Sequence, residues 1–119
     1  MKNFIHQITE MFKAISVCMN ISDKINKIDE ITNTMIYDVL ISNLIKIRDI
    51  EKKLPNDFKA NIQDVNWSIF EYYDNEMKSK YEYKDMEIIY KILKNELPNL
   101  HFALEKYIFK NNLNNAFFS

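Results

Sequence analysis

The sequence contains no glycine, and this absence argues against several common architectures. The favoured β-hairpin turns need glycine or an equivalent at positive φ, and nucleotide-binding loops need glycine so that the backbone can approach the phosphates. A multi-stranded sheet, a P-loop and a dinucleotide-binding loop are therefore not expected. Only two prolines occur in 119 residues, so long helices are free to form, and a single all-α domain is the simplest prediction.

Cysteine, arginine and net charge are also scarce. The single Cys18 cannot form an internal disulfide, and its helical spacing predicts a small core residue. Arg48 is the only arginine, and the formal net charge of −1 provides no field that would attract nucleic acid nonspecifically. His6 and His101 have no partner at the spacing of a metal site or a catalytic triad, so no metal and no cofactor is expected.

Long apolar runs are missing as well. No run approaches the roughly 18 apolar residues that a membrane-spanning helix needs. The N-terminal residues lead directly into an amphipathic pattern, without the apolar segment of a secretion signal. These features predict a soluble protein of the cytoplasm.

Helical periodicity is the main feature that the sequence does contain. A composition of 47% hydrophobic and 28% charged residues is typical of a globular domain. Apolar residues recur at helical spacing, which predicts an antiparallel four-helix bundle with one short extra helix. The predicted helices cover about residues 3–20 and 31–53, a short segment after Asn56, a segment from Trp67, and a segment from about Asp85 to Ile108.

Several predicted helix ends have local signals. Pro55 should end the second helix, because the residue before a proline disfavours helical geometry. Asn56 and Asp57 are expected to cap the short helix, and Asn66 is a candidate cap for the helix that follows. Pro98 lies inside the last periodic stretch, so that helix must kink or restart there.

The predicted second helix has the most regular apolar stripe. The residues of this periodic run are Met35, Ile36, Val39, Leu40, Asn43, Leu44, Ile47, Ile50 and Leu54. Trp67 is expected to anchor the core at the start of its own helix. The Asn-rich residues from about 111 onward are expected to fray.

A further set of residues follows the order of a known family. These residues are Asn43, Leu44, Asp49, Leu54-Pro55, Trp67, Asp74-Asn75, Ser79, Tyr81, Asp85 and Lys94 to Leu100. Their order and spacing resemble the HepT-like group of HEPN proteins, which are helical ribonuclease toxins that pair with a nucleotidyltransferase antitoxin. The resemblance covers roughly residues 35–108, and one departure is Ser42, where relatives have a basic residue.

The central family signature is Arg, a polar residue, three further residues, His, any residue and Tyr. Here Asp74 stands at the Arg position and Ser79 at the His position, whereas Asn75 and Tyr81 fit. In the family, the His provides acid–base catalysis and the Arg stabilises charge on the phosphate. Ser79 cannot act as a base near neutral pH without a partner, and Asp74 repels phosphate. The resemblance therefore implies a binding or regulatory protein without ribonuclease activity.

The resemblance also implies partners. Relatives form their active cleft across a two-fold axis, so a homodimer is expected, with the helices of Trp67–Lys80 and Asp85–Ile108 facing the second subunit. Tyr81 matches the tyrosine that receives AMP from the antitoxin, and it is either a retained modification site or a packing or interface residue. Asn75 is either a polar residue of the old cleft or ordinary helix surface.

Two rival hypotheses remain open. The first rival is an active ribonuclease that uses altered residues such as Asp74, Ser79 or Lys80, in which case RNA is a substrate. The second is a helical interaction module with no link to toxin–antitoxin systems. A neighbouring nucleotidyltransferase gene would argue against the interaction module, and an RNA cleavage assay separates an active protein from an inactive one.

Overall fold

The computed structural model describes residues 4–27, 34–62, 65–73 and 83–110. Every regular element within these ranges is a helix, which confirms the predicted all-α class. In chain order the elements are α1 (Phe4–Ser22), α2 (Thr34–Lys53), α3 (Asn56–Asn61), a 3-10 helix (Trp67–Tyr73), α4 (Tyr83–Lys91), a π-helical segment (Ile92–Glu96) and α5 (Leu97–Lys110). None of these described helices is long and apolar enough to cross a membrane.

Helices α1, α2 and α5 form the centre of the bundle. Helices α1 and α2 pack against each other, and Glu10 of α1 lies 3.2 Å from Lys46 of α2. Lys94, just before α5, hydrogen-bonds to the end of α1, and His101 stacks on Phe12 nearer its start. Helix α5 is therefore antiparallel to α1, as the predicted bundle requires.

The core is almost entirely aliphatic. The side chains on the inner faces of α1, α2 and α5 have little or no exposure to solvent. The most completely buried of them are Ile8, Met11, Ile15, Leu40, Leu44, Ile47, Leu97, Leu100 and Leu104. Phe70 from the 3-10 helix is 1% exposed and fills the space beside α2. Burial of this apolar surface is the main free energy that favours the fold.

The junction between α2 and α3 follows the proline signal but not the predicted cap. Helix α2 ends at Lys53, two residues before Pro55, as predicted. Pro55 itself occupies the N-cap position of α3, with φ −62° and ψ 146° and no side-chain cap hydrogen bond. The prediction that Asn56 and Asp57 cap this helix is wrong, because the extended geometry of Pro55 already starts the turn and its carbonyl accepts the Lys59 N–H at 3.1 Å.

The apolar stripe predicted for α2 is wider than the face that is buried. The periodic run forms the predicted helix, but two of its members face outward, because Met35 is 79% exposed and Val39 is 41% exposed. Ile36, Leu40 and Leu44 occupy the inner face of the same turns. One helical face can pack against the bundle, and its apolar neighbours on the adjacent face remain outside.

The segment after Asn66 starts where it was predicted but has a tighter geometry. The residues Trp67–Tyr73 form a 3-10 helix, and the Ile69 N–H donates to the Asn66 carbonyl at 3.2 Å. The Asn66 side chain accepts a hydrogen bond from the Ser68 hydroxyl at 2.8 Å. Short 3-10 turns are common as connectors, and here the turn brings Phe70 into the core.

The chain restarts its last helix next to Pro98, as predicted, through a π-helical segment. The Leu97 N–H donates to the carbonyl of Ile92, five residues earlier, and α5 begins at Leu97. Pro98 is then the second residue of α5, a position where the missing N–H is tolerated. The wider π turn therefore allows α4 and α5 to form one nearly continuous helical segment despite Pro98.

Candidate functional site

The four residues of the predicted site lie outside the described residues. They are Asp74, Asn75, Ser79 and Tyr81. The structure describes the elements on either side of them, the 3-10 helix that ends at Tyr73 and the helix α4 that begins at Tyr83. The geometry that can be examined is therefore that of the flanking elements and of the family-like positions in α2.

The 3-10 helix is attached to the core by its aromatic residues. Phe70 is buried among core side chains, and Trp67 is half-buried and packs against the same core. The indole Nε1 of Trp67 is buried and has no hydrogen-bond acceptor among the described residues. Trp67 therefore acts as the predicted anchor at the edge of the core.

The other flank is fixed to the end of α1 by polar contacts. The Lys94 ammonium donates to the carbonyl of Ser22 at 2.7 Å and to that of Ile25 at 2.6 Å. The Tyr90 hydroxyl donates to the Asn26 carbonyl at 3.0 Å. A lysine near helix-terminal carbonyls also interacts favourably with the helix dipole. These contacts hold α4 and the π segment against the turn that follows α1.

The family-like residues of α2 serve packing and local hydrogen bonding. Leu44 is fully buried in the core, and the Asn43 side-chain amide donates to the Val39 carbonyl at 2.9 Å, within the same helix. Asp49 is half-buried and Ser42 is exposed. Position 42 therefore presents a hydroxyl to solvent.

The only arginine takes part in a buried ion-pair cluster between α2 and α3. Glu51 is buried, with only 5% of the residue exposed to solvent. One of its oxygens accepts a hydrogen bond from the Arg48 guanidinium, and the other accepts one from the Lys59 ammonium at 2.7 Å. Charge-assisted bonds of this kind are stronger than neutral ones. Lys59 thereby joins α3 to α2, and Arg48 pairs with the same carboxylate from within α2.

The histidines and the cysteine do not form a chemical site. His101 stacks on Phe12 with the ring centroids 4.7 Å apart, and His6 is exposed on α1. Cys18 is buried as predicted, and burial raises the pKa of its thiol to about 12. A thiol with so high a pKa is a poor nucleophile at neutral pH. Within the described part of the chain, no group of three His, Cys, Asp or Glu side chains is placed to hold a metal ion.

One surface of α5 stands out among the described residues and was not found from the sequence. We name it the α5 outer face; it lines an open groove of about 550 Å³ and consists of Phe102, Glu105, Lys106, Phe109 and Lys110. Phe102 is 59% exposed and Phe109 is 57% exposed. The spacing of seven residues between the two phenylalanines, out of phase with the buried leucines of α5, is the signal that could have revealed it.

Comparison with known proteins gives no family for this chain. No family model, no curated protein and no solved structure matches it. The resemblance to HepT-like proteins therefore rests on the order of residues along the chain.

Proposed function

We propose that the chain is a HepT-like HEPN protein that lacks ribonuclease activity and acts as a binding or regulatory partner. The all-α bundle supports the proposal at the level of fold, because a helical bundle is what the resemblance implies. The order of Trp67, Asn75, Tyr81 and Asp85 supports it at the level of sequence.

The observation on which the proposal depends is the pair Asp74 and Ser79 at the Arg and His positions. A metal-independent ribonuclease of this kind needs an acid or base near the ribose 2′-hydroxyl and a cation near the phosphate. Loss of acid–base catalysis costs about 10²–10⁴ in rate. Loss of one electrostatic stabiliser costs about 10²–10³. Both losses fall on the same step, so little catalysis would remain.

Two described cations take part in contacts within the fold. Arg48 hydrogen-bonds to the buried Glu51, and Lys94 donates to two backbone carbonyls at the end of α1. Both cations therefore serve the fold.

The partners in this proposal are a second copy of the chain and a nucleotidyltransferase. A homodimer would follow the two-fold arrangement of the family. Tyr81 would then be either a target for AMP transfer or a residue of the interface. Co-expression with a nucleotidyltransferase of the type that pairs with HepT-like proteins, followed by mass measurement of Tyr81 peptides, distinguishes the two roles.

The first prediction is that the purified protein cleaves RNA no faster than buffer alone. The assay uses a mixed-sequence fluorogenic RNA and a metal chelator, so that contaminating metal-dependent nucleases are silent. Cleavage that is lost in both Asp74→Ala and Ser79→Ala would contradict the proposal and favour the active rival. Cleavage that persists in both variants would indicate a contaminant or a different site.

A further inference from the structure

Among the residues that the structure describes, the α5 outer face is an apolar surface that lies outside the core. The opposite side of α5 packs into the core through Leu97, Leu100 and Leu104, which are fully buried. A surface helix is normally polar on the side that faces away from the core. Phe102 and Phe109 are instead both more than half exposed, two helical turns apart on that side. Such a surface is typical of a protein–protein contact.

The charges beside the two phenylalanines indicate which partner fits. When two helices pack in parallel about a two-fold axis, a residue on one flank meets the residue five positions later on the opposite flank of the partner. Glu105 and Lys110 have this spacing and lie on opposite flanks of the α5 outer face. Glu105 would therefore face the partner's Lys110, and symmetry would repeat the pair.

We propose that two copies of the chain associate through the α5 outer face, with their α5 helices parallel. Phe102 and Phe109 pack against the same residues of the second copy. An antiparallel pair is disfavoured, because it sets each flank against the same flank of the partner and brings Glu105 beside the partner's Glu105. A foreign partner of one charge sign would match only one flank, whereas a second copy matches both.

Lys106 fits this arrangement at some cost in affinity. It lies between the phenylalanines, and its ammonium is 4.9 Å from the centroid of the Phe102 ring. The ammonium lies over the face of the ring, in a cation–π contact. A lysine at the centre of a parallel helix pair weakens the pair but fixes its register. The contact extends over about two helical turns, so a weak dimer is expected.

The α5 contact specifies which residues join the two copies of the proposed homodimer and in which direction their helices run. It rests on the homodimer part of the proposed function alone, and it does not depend on whether the protein cleaves RNA. The RNA assay and the association experiment can therefore fail separately.

The contact is tested by sedimentation equilibrium of the full chain over about 10 to 300 micromolar, a range suited to a contact below the standard interface size. Replacement of both aromatics, Phe102→Gln with Phe109→Gln, should weaken dimerisation by at least about tenfold. Met35→Gln, which changes a 79% exposed side chain on α2, should leave it unchanged. Far-UV circular dichroism of each variant confirms that these exposed substitutions leave the fold intact.

The direction of the helices is tested by charge reversal at low salt. Glu105→Lys alone and Lys110→Glu alone each place like charges together in a parallel homodimer and should weaken it. The charge-swapped double variant, Glu105→Lys with Lys110→Glu, restores both opposite-charge pairs of a parallel homodimer and should dimerise as tightly as the wild type. Single variants that dimerise as tightly as the wild type overturn the parallel arrangement, because an antiparallel pair places like charges together in all of these proteins.

Two other results of the sedimentation experiment would overturn part or all of the proposed contact. A wild-type protein that is monomeric throughout the concentration range overturns both the contact and the homodimer. A wild-type dimer that the double Gln variant does not weaken overturns the contact and leaves the homodimer standing.

Discussion

At the scale of single residues, the buried carboxylate of Glu51 has the most demanding environment among the described side chains. Arg48 and Lys59 both donate to it, and their side chains are only 14% and 19% exposed. Removing one member of a buried ion-pair cluster costs more than the pair itself contributes, because the remaining charges lose their compensation. The cluster therefore fixes α3 to α2 only while all three groups are present.

The second prediction follows from this cluster. Glu51→Ala should lower the free energy of unfolding by about 2–4 kcal/mol, since two charge-assisted hydrogen bonds are lost. The midpoint of a urea titration followed by circular dichroism measures the change. Glu10→Ala is the matched control, because Glu10 also joins two helices but pairs with the half-exposed Lys46 at the surface. A Glu51 variant as stable as the Glu10 variant would contradict the assigned role.

The sequence predicted some of these residue environments and not others. Burial of Cys18 and Leu44 follows from helical spacing alone. The exposure of Met35 does not, because periodicity shows which residues share a face but not how much of that face is covered. The Glu51 cluster is similarly hidden, since Lys59 meets Glu51 only after the chain has turned at Pro55.

At the scale of elements, α4, the π segment and α5 form one nearly continuous helical segment that accommodates Pro98. The sequence predicted an interruption near Pro98, because proline lacks the N–H of a regular helix. It did not predict the π segment Ile92–Glu96, because the choice between a kink, a break and a wider turn depends on tertiary contacts. Buried Ile92 and Leu93 remain in the core through that wider turn.

Lys94 connects this helical segment to the end of α1. Its ammonium donates to the carbonyl of Ser22, the last residue of α1, and to the carbonyl of Ile25, which follows the helix. The sequence gives no sign of this contact, because Lys94 is more than sixty positions from both Ser22 and Ile25 along the chain.

The third prediction concerns this helix-end contact. Lys94→Met keeps the aliphatic stem but removes both hydrogen bonds and the charge near the helix terminus, and it should destabilise the protein by about 1–2 kcal/mol. Lys91→Met, three residues earlier and exposed, should have little effect. Chemical denaturation measures both variants. Equal stability of the two would show that the Lys94 contact adds nothing beyond that of an ordinary surface lysine.

At the scale of the whole molecule, the fold was more predictable than the site. Four periodic apolar stretches and the missing glycines were enough to predict an all-α bundle, because helices that each bury one face must pack together. The α5 outer face was not predicted, since its phenylalanines were not distinguished from the buried residues of the same helix. The site at Asp74, Asn75, Ser79 and Tyr81 lies outside the described residues, so its prediction still rests on residue order.

We propose that the chain retains the residue order of a HepT-like site, with Asp74 and Ser79 in place of the catalytic pair. The most direct test of this claim is an RNA cleavage assay of the double variant Asp74→Arg with Ser79→His. The double variant should gain measurable cleavage, whereas either single change should do little, because the cation and the acid–base group act on the same transition state. A control with the same residue types at exposed positions, Asp57→Arg with Ser42→His, should stay inactive. A double variant at Asp74 and Ser79 that is folded and dimeric but cleaves no RNA would contradict the claim.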